Sequence, residues 1–186
     1  MKHLFLVMMV GVLVGCGEKK APENKADPSV IRDNLREMSY AEFVIRAELN
    51  KPQGELTKSD YDKVTKLTIM NPAMTEMSGL EKLSQLKALD LTGNHLTSVS
   101  GIDKLTNLEI LDLAVNKLSI PPDLKNLVKL KRLDLGQNQL TSISGIENLT
   151  NLEKLTLYDN QLTSIKGLGK LTQLTSLNLE NNQLTN

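Results

Sequence analysis

Leu86-Lys87-Ala88-Leu89-Asp90-Leu91-Thr92-Gly93-Asn94-His95-Leu96 is the stretch that decides the fold of this chain. Its frame, Leu-x-x-Leu-x-Leu-x-x-Asn-x-Leu, returns at a fixed spacing, so that Asn94, Asn116, Asn138, Asn160 and Asn182 stand 22 residues apart. The last copy runs through Leu174, Leu177, Leu179, Asn182 and Leu184. One period before the first, Val64, Leu67, Ile69 and Met74 keep the apolar positions while Pro72 takes the place of the asparagine, which makes that copy degenerate. A fixed period of this length implies supersecondary units that cannot bury their apolar face alone and stack to do so. Such an array presents an extended surface and does not close around a pocket.

Within each unit the spacing predicts one short strand, such as Ala88 to Thr92. Side chains alternate along it, with Leu89 and Leu91 turned into the core and Ala88, Asp90 and Thr92 turned out. The asparagine follows the strand. Its amide both donates and accepts, so it suits backbone groups left over in a turn, and Asn94, Asn116, Asn138, Asn160 and Asn182 read as a buried structural ladder. The return segment, through Leu96, Val99, Ile102 and Leu105, reads as a turn or 3-10 piece. Ser100-Gly101, Ser144-Gly145 and Lys166-Gly167 supply tight bends there. In one unit Ile120-Pro121-Pro122 stands instead, outside any strand and therefore harmless to a ladder.

The array from 64 to 186 resembles the leucine-rich repeats of the internalins and related bacterial surface proteins. That resemblance implies an α/β leucine-rich-repeat solenoid, curved and right-handed. Short parallel strands would line its concave face, with turn or 3-10 segments on the convex one. The stretch before it resembles the helical cap of such proteins. Ser39-x-x-Glu42 has the pattern of a capping box before a helix ended by Asn50, Pro52 and Gly54, and Thr57-x-x-Asp60 repeats that pattern. Asp27-Pro28 suits the start of an earlier helix. The cap is thus placed at 28–63, with Phe43 and Tyr61 expected to plug the open end of the core.

Composition removes several function classes. Lys plus Arg and Asp plus Glu number 22 each, so no excess charge attracts nucleic acid. A single cysteine, Cys16, forbids an internal disulfide and a multi-cysteine metal site. Met1-Lys2-His3 followed by the apolar run Leu4 to Val14 reads as an export signal over 1–15. Its end, Leu13-Val14-Gly15-Cys16, resembles the bacterial lipobox, which implies cleavage before Cys16 and acyl chains on that residue; an ordinary signal peptide with an incidental cysteine is the alternative. Acylation would hold the protein at the cell envelope, in the outer membrane if the cell has one, through more than one chain. Polar, aperiodic residues over 16–27 read as a tether.

Registration of the strands aligns the outward positions into columns. One reads Lys66, Ala88, Ile110, Arg132, Lys154, Ser176; the next Thr68, Asp90, Asp112, Asp134, Thr156, Asn178; a third Met70, Thr92, Ala114, Gly136, Tyr158, Glu180. The column just beyond holds Asn71, Gly93, Val115, Gln137, Asp159 and Asn181. Ile110, Ala114 and Val115 suggest an apolar patch, and Tyr158 is the one aromatic on this face. The candidate partner-binding set is Ile110, Asp112, Val115, Arg132, Asp134, Lys154 and Tyr158, with a protein as partner. Stacked Asp90, Asp112 and Asp134 are a cation site, a grip on a basic partner or, more simply, a position where the repeat family favours Asp, with Arg132 and Lys154 lying diagonally beside them to neutralise the charge. No nucleophile, base and orienter stand together, and phosphate-loop and zinc patterns are missing, so neither an enzyme nor a cofactor or metal is expected. The strand nearest Asn186 is expected to leave an unpaired edge, which makes edge-mediated self-association the alternative role.

Overall fold

The computed structural model describes residues 39–71, 75 and 79–185. The segments expected to be an export signal and a tether, Cys16, the helix expected at Asp27-Pro28, and positions Pro72, Met74 and Asn186 lie outside them. Strands β1 (Lys66–Thr68), β2 (Ala88–Asp90), β3 (Ile110–Asp112), β4 (Arg132–Asp134), β5 (Lys154–Thr156) and β6 (Ser176–Asn178) form one parallel sheet in sequence order. Register places Leu67, Leu89, Leu111, Leu133, Leu155 and Leu177 side by side. Four return segments, Leu80–Lys82, Ile102–Lys104, Ile146–Asn148 and Leu168–Lys170, are single 3-10 turns. Each follows a glycine with positive φ: Gly79 at 88°, Gly101 at 79°, Gly145 at 97° and Gly167 at 105°. The architecture is a leucine-rich-repeat solenoid behind a small helical region.

Each strand is three residues long, shorter than the five that the alternation predicts, yet the inter-repeat bonding runs on. The N–H groups of Leu91 and Leu113 donate to the carbonyls of Asp112 and Asp134 at 2.9 and 2.8 Å. Those of Gly93, Val115 and Gln137 then donate to Ala114, Gly136 and Tyr158. The ladder of donors thus continues beyond the third residue. Behind the sheet, Leu86, Leu89, Leu91, Leu96, Leu105 and Leu108 are fully buried, and the matching leucines of the next two repeats are at most 1% exposed. Removing each such side chain from water stabilises by about 1.5–3 kcal/mol before chain entropy is counted. The Pro121-Pro122 unit lacks a 3-10 turn and leaves Ile120 76% exposed.

Among the described residues, the cap region holds two helices, α1 (Tyr40–Glu48) and α2 (Lys58–Tyr61). Ser39 Oγ accepts from the Glu42 N–H at 3.1 Å, but only that half of the expected capping box forms. The Glu42 carboxylate turns instead to Arg46, 2.8 Å away, an i,i+4 pair one helical turn on. The second box is complete: Thr57 Oγ1 accepts from the Asp60 N–H at 3.3 Å, and Asp60 Oδ2 accepts from the Thr57 N–H at 2.9 Å. The plug is also different. Ile45 and Ala41 are the buried face of α1, with Leu56 and Val64 beside them. Phe43 lies off that stripe and stacks on Tyr40 at 6.2 Å, because residues 41 and 45 share a helix face that residue 43 does not. Tyr61 does pack partly against the core, with Lys82 over its ring.

Asp60 also accepts from Lys51 Nζ at 2.7 Å and from the Thr57 hydroxyl at 2.8 Å. These bonds, first that from Lys51, hold its carboxyl well below the usual carboxylate range. A depressed folded-state value means that the carboxylate's contribution is present above about pH 4 and is lost as the pH falls through the acid range. Asp60→Asn should therefore lower the midpoint of urea unfolding at neutral pH, and the gap to wild type should close on acidification below about pH 4.

Candidate functional site

The candidate face is a sheet surface held up from behind by the asparagines. Asn116 Nδ2 donates to the carbonyls of Leu91, Leu113 and Ala114 at 2.9, 3.0 and 3.1 Å. Its Oδ1 accepts from the Leu96 N–H at 3.0 Å. Asn138 and Asn160 repeat the arrangement one and two strands on, and Asn94 and Asn182 have corresponding bonds. Four of the five are buried, and Asn182 is half-buried. Each amide therefore ties its own turn to the preceding repeat and fixes where the outward side chains begin and end.

In front, three outward rows cross three strands. The near row is Ile110, Arg132 and Lys154, paired in register across β3, β4 and β5 and all exposed. The middle row is Asp112, Asp134 and Thr156, all half-buried. The far row is Ala114, Gly136 and Tyr158. In-register neighbours lie about 4.8 Å apart, and near and far rows are separated by four residues of extended chain, roughly 13 Å.

The middle row is tied into the fold. Asp90, Asp112 and Asp134 each use Oδ1 to accept from the N–H two residues on, at Thr92, Ala114 and Gly136, over 2.9, 3.0 and 2.9 Å. Asn178 does the same for Glu180. These are N–H groups that the parallel ladder leaves facing outward, and a short acceptor side chain closes them locally. That accounts for Asp at this position without a bound cation, and among the described residues no group of His, Cys, Asp and Glu is placed to hold a metal ion. Burial pushes the Asp134 carboxyl above its ordinary value, with the Asp112 charge adding to the effect, against the Gly136 N–H, Arg132 and Thr156. Asp112 and Asp134 thus serve the turn first, and the partner-binding role read for them rests on what their second oxygens do.

Two features of this face were not read from the sequence. The first is a seat. The Tyr158 ring lies against Gly136 so closely that a Cβ at that position would overlap its Cε1 and Cδ1 atoms. A side chain is missing from one column where the next strand's aromatic lies down; the glycine among side-chain-bearing neighbours was the available signal. The ring is therefore half-buried and held in one orientation, and burial with nearby Asp134 raises its phenol above the ordinary value.

The second is backbone strain. Gly93, Val115, Gln137, Asp159 and Asn181 all have positive φ, at 70°, 57°, 52°, 52° and 55°. This column is left-handed in every regular repeat, as Gly93 and Asn181 would have indicated. A β-branched residue is the least suited to it. Val115 is therefore a strained residue on the turn beyond the strand, 43% exposed, and not part of a continuous apolar patch with Ala114, which is 6% exposed and buried. Ile110, at 44%, stands alone in its row.

The family description "Leucine-rich repeat region" matches residues 63–186. This chain belongs to the leucine-rich repeat family. Among solved structures, it is similar to an internalin, InlF, of Listeria monocytogenes, with a TM-score of 0.73 and 28% identity over 77% of this chain and 43% of that one. A leucine-rich-repeat protein of Leptospira interrogans is similar at a TM-score of 0.64 and 30% identity, covering 70% of this chain and 35% of the other. The functional domain of InlJ from Listeria monocytogenes, which includes a cysteine ladder, aligns at a TM-score of 0.60 and 25% identity over 69% of this chain and 28% of that chain. This leucine-rich-repeat chain, with one cysteine, has no counterpart of that ladder, and it spans less than half the length of each of these neighbours. Comparison with curated proteins gave no match.

Two substitutions test this geometry. Gly136→Ala should destabilise by about 1–3 kcal/mol in urea unfolding because the new methyl meets the Tyr158 ring, and the loss should largely disappear in a Tyr158→Ala background. Val115→Asn should raise stability by about 0.5–1 kcal/mol, since asparagine tolerates the left-handed conformation.

Proposed function

We propose that this is a lipid-anchored protein of the bacterial cell envelope that binds a protein partner through the concave strand face of its repeats. The observation that carries the binding reading is the contiguous exposed row Ile110, Arg132, Lys154 on three paired strands, with Tyr158 held flat on Gly136 beyond it. A rigid aromatic gives contact area at low entropic cost, and sheet faces of solenoids are extended binding surfaces. Val115 adds an exposed apolar side chain kept at a position where asparagine or glycine is easier, and Asp112 and Asp134 offer acceptors between the two rows. The family and its bacterial neighbours support an interaction role over a catalytic one. Envelope attachment rests on Leu13-Val14-Gly15-Cys16 and the apolar run before it, with acyl chains on Cys16 and the tether over 16–27 lifting the repeats from the lipid.

Cross-linked capture from cell envelopes tests the reading, comparing the full chain with a variant carrying Ile110→Arg and Tyr158→Ala. A partner held by the first and lost by the second is the expected result. Recovery of the same partners by both would contradict it, and recovery of the protein alone by both would favour self-association through a strand edge instead. In parallel, Cys16→Ser should move the protein from the membrane to the soluble fraction.

A further inference from the structure

The row Ile110, Arg132, Lys154 differs from the row beside it in how its charge is balanced. One residue earlier in each repeat the chain places Lys87, Glu109, Lys131 and Glu153. Signs alternate there, and Lys131 Nζ closes on Glu109 at 3.0 Å. Lys87 and Lys129 also stabilise the Glu109 carboxylate, and Glu153 stabilises the Lys131 ammonium. That row neutralises itself within the molecule.

Arg132 and Lys154 instead sit directly opposite each other on paired strands, two cations about 4.8 Å apart at the backbone. Like charges at this spacing repel. Among the described residues neither makes an ion pair. The Arg132 charge acts on the Asp134 carboxylate, but no contact closes between them: Asp112 and Asp134 each hold an oxygen on a backbone N–H and are half-buried, whereas Arg132 and Lys154 are exposed. Ile110 borders the pair on the next strand and is 44% exposed.

We infer that the partner contacts this row with an extended protein segment that places an aliphatic side chain on Ile110 and carboxylates on Arg132 and Lys154. This rests on the strand-face reading above and gives its partner a chemistry. Alternate side chains of an extended segment repeat at roughly 6.6–7 Å, wider than the about 5 and 10 Å at which the two cations follow the apolar contact across the strands, so the long Arg132 and Lys154 side chains, which repel each other, meet such a segment by splaying apart. Guanidinium and ammonium groups at the rim of a contact set the charge and the rate of association of what binds there. A purely anionic polymer would leave Ile110 unused.

The test is selection of a displayed random-peptide library on the full-length protein, repeated on Arg132→Glu with Lys154→Glu and, separately, on Ile110→Arg with Tyr158→Ala. These are exposed or surface-seated positions, and circular dichroism establishes that each variant is folded. The expected result is enrichment of peptides that combine an aliphatic residue with Asp or Glu within the next few positions. They should bind the charge-reversed variant about tenfold or more weakly, and the reversed variant should select Lys and Arg in their place. Enriched peptides that carry no acidic residue, or that keep their affinity on the charge-reversed variant while losing it on the Ile110 and Tyr158 variant, overturn the inference and leave the strand face as a binding surface. Peptides indifferent to both variants overturn the inference and the strand-face reading together. Selection that yields nothing above background also overturns the inference, since the row then fails to recognise the chemistry assigned to it.

Discussion

The side-chain amide of the repeated asparagine is the interaction on which the rest depends. A solenoid must turn its chain sharply after every strand, and each turn leaves backbone donors and acceptors that neither strand nor water can satisfy. A buried carbonyl or N–H without a partner costs about 1–3 kcal/mol, so an unsolved turn repeated along the array would unfold it. Asn116 solves the problem on both sides at once: its amino group meets carbonyls from its own repeat and the preceding one, and its oxygen meets the Leu96 N–H. No other side chain of that size both donates two hydrogens and accepts in one plane. Leucines fill the volume behind the sheet, but leucine packing is non-directional and cannot by itself set the register of one repeat on the next.

Fixed register has a consequence for function. Because residues pair strictly across β1 to β6, every outward position becomes part of a row whose chemistry is decided by one residue per repeat. The middle row is spent on closing N–H groups with Asp90, Asp112, Asp134 and Asn178. The row that begins each strand is free of such duties, and there the sequence varies from Lys66 through Ile110 to Ser176. Structural and binding roles are therefore separated by column within the same short strand.

How much of this was legible in the sequence follows from which interactions are periodic. Core leucines, ladder asparagines and bend glycines recur, and the strands, the 3-10 turns and the position of the buried columns were read from that recurrence. The relatively poor reading of the cap has a physical reason: α1 occurs once, so nothing averaged out the choice between Phe43 and the Ala41–Ile45 stripe. Single events on the face were likewise hidden. The seating of Tyr158 on Gly136 depends on a rotamer, and the left-handed turn at Val115 is a backbone property that valine itself argues against. Aligning Gly93, Asp159 and Asn181 as turn formers, rather than as exposed side chains, would have exposed the second of these. Arg132 and Lys154 were visible as charges, but that they stay without an ion pair while Lys131 and Glu109 close on each other is a matter of three-dimensional reach.

Native-state hydrogen exchange of the Leu96 amide in Asn116→Ala, compared with wild type, is the most direct test of this account. The substitution removes the acceptor of that N–H and the donor to three carbonyls while leaving the leucine core intact. The account predicts that Leu96 exchanges about a hundredfold faster, with its neighbours in the turn following. An unchanged exchange rate at Leu96 would contradict it and would mean that leucine packing alone holds the repeats in register.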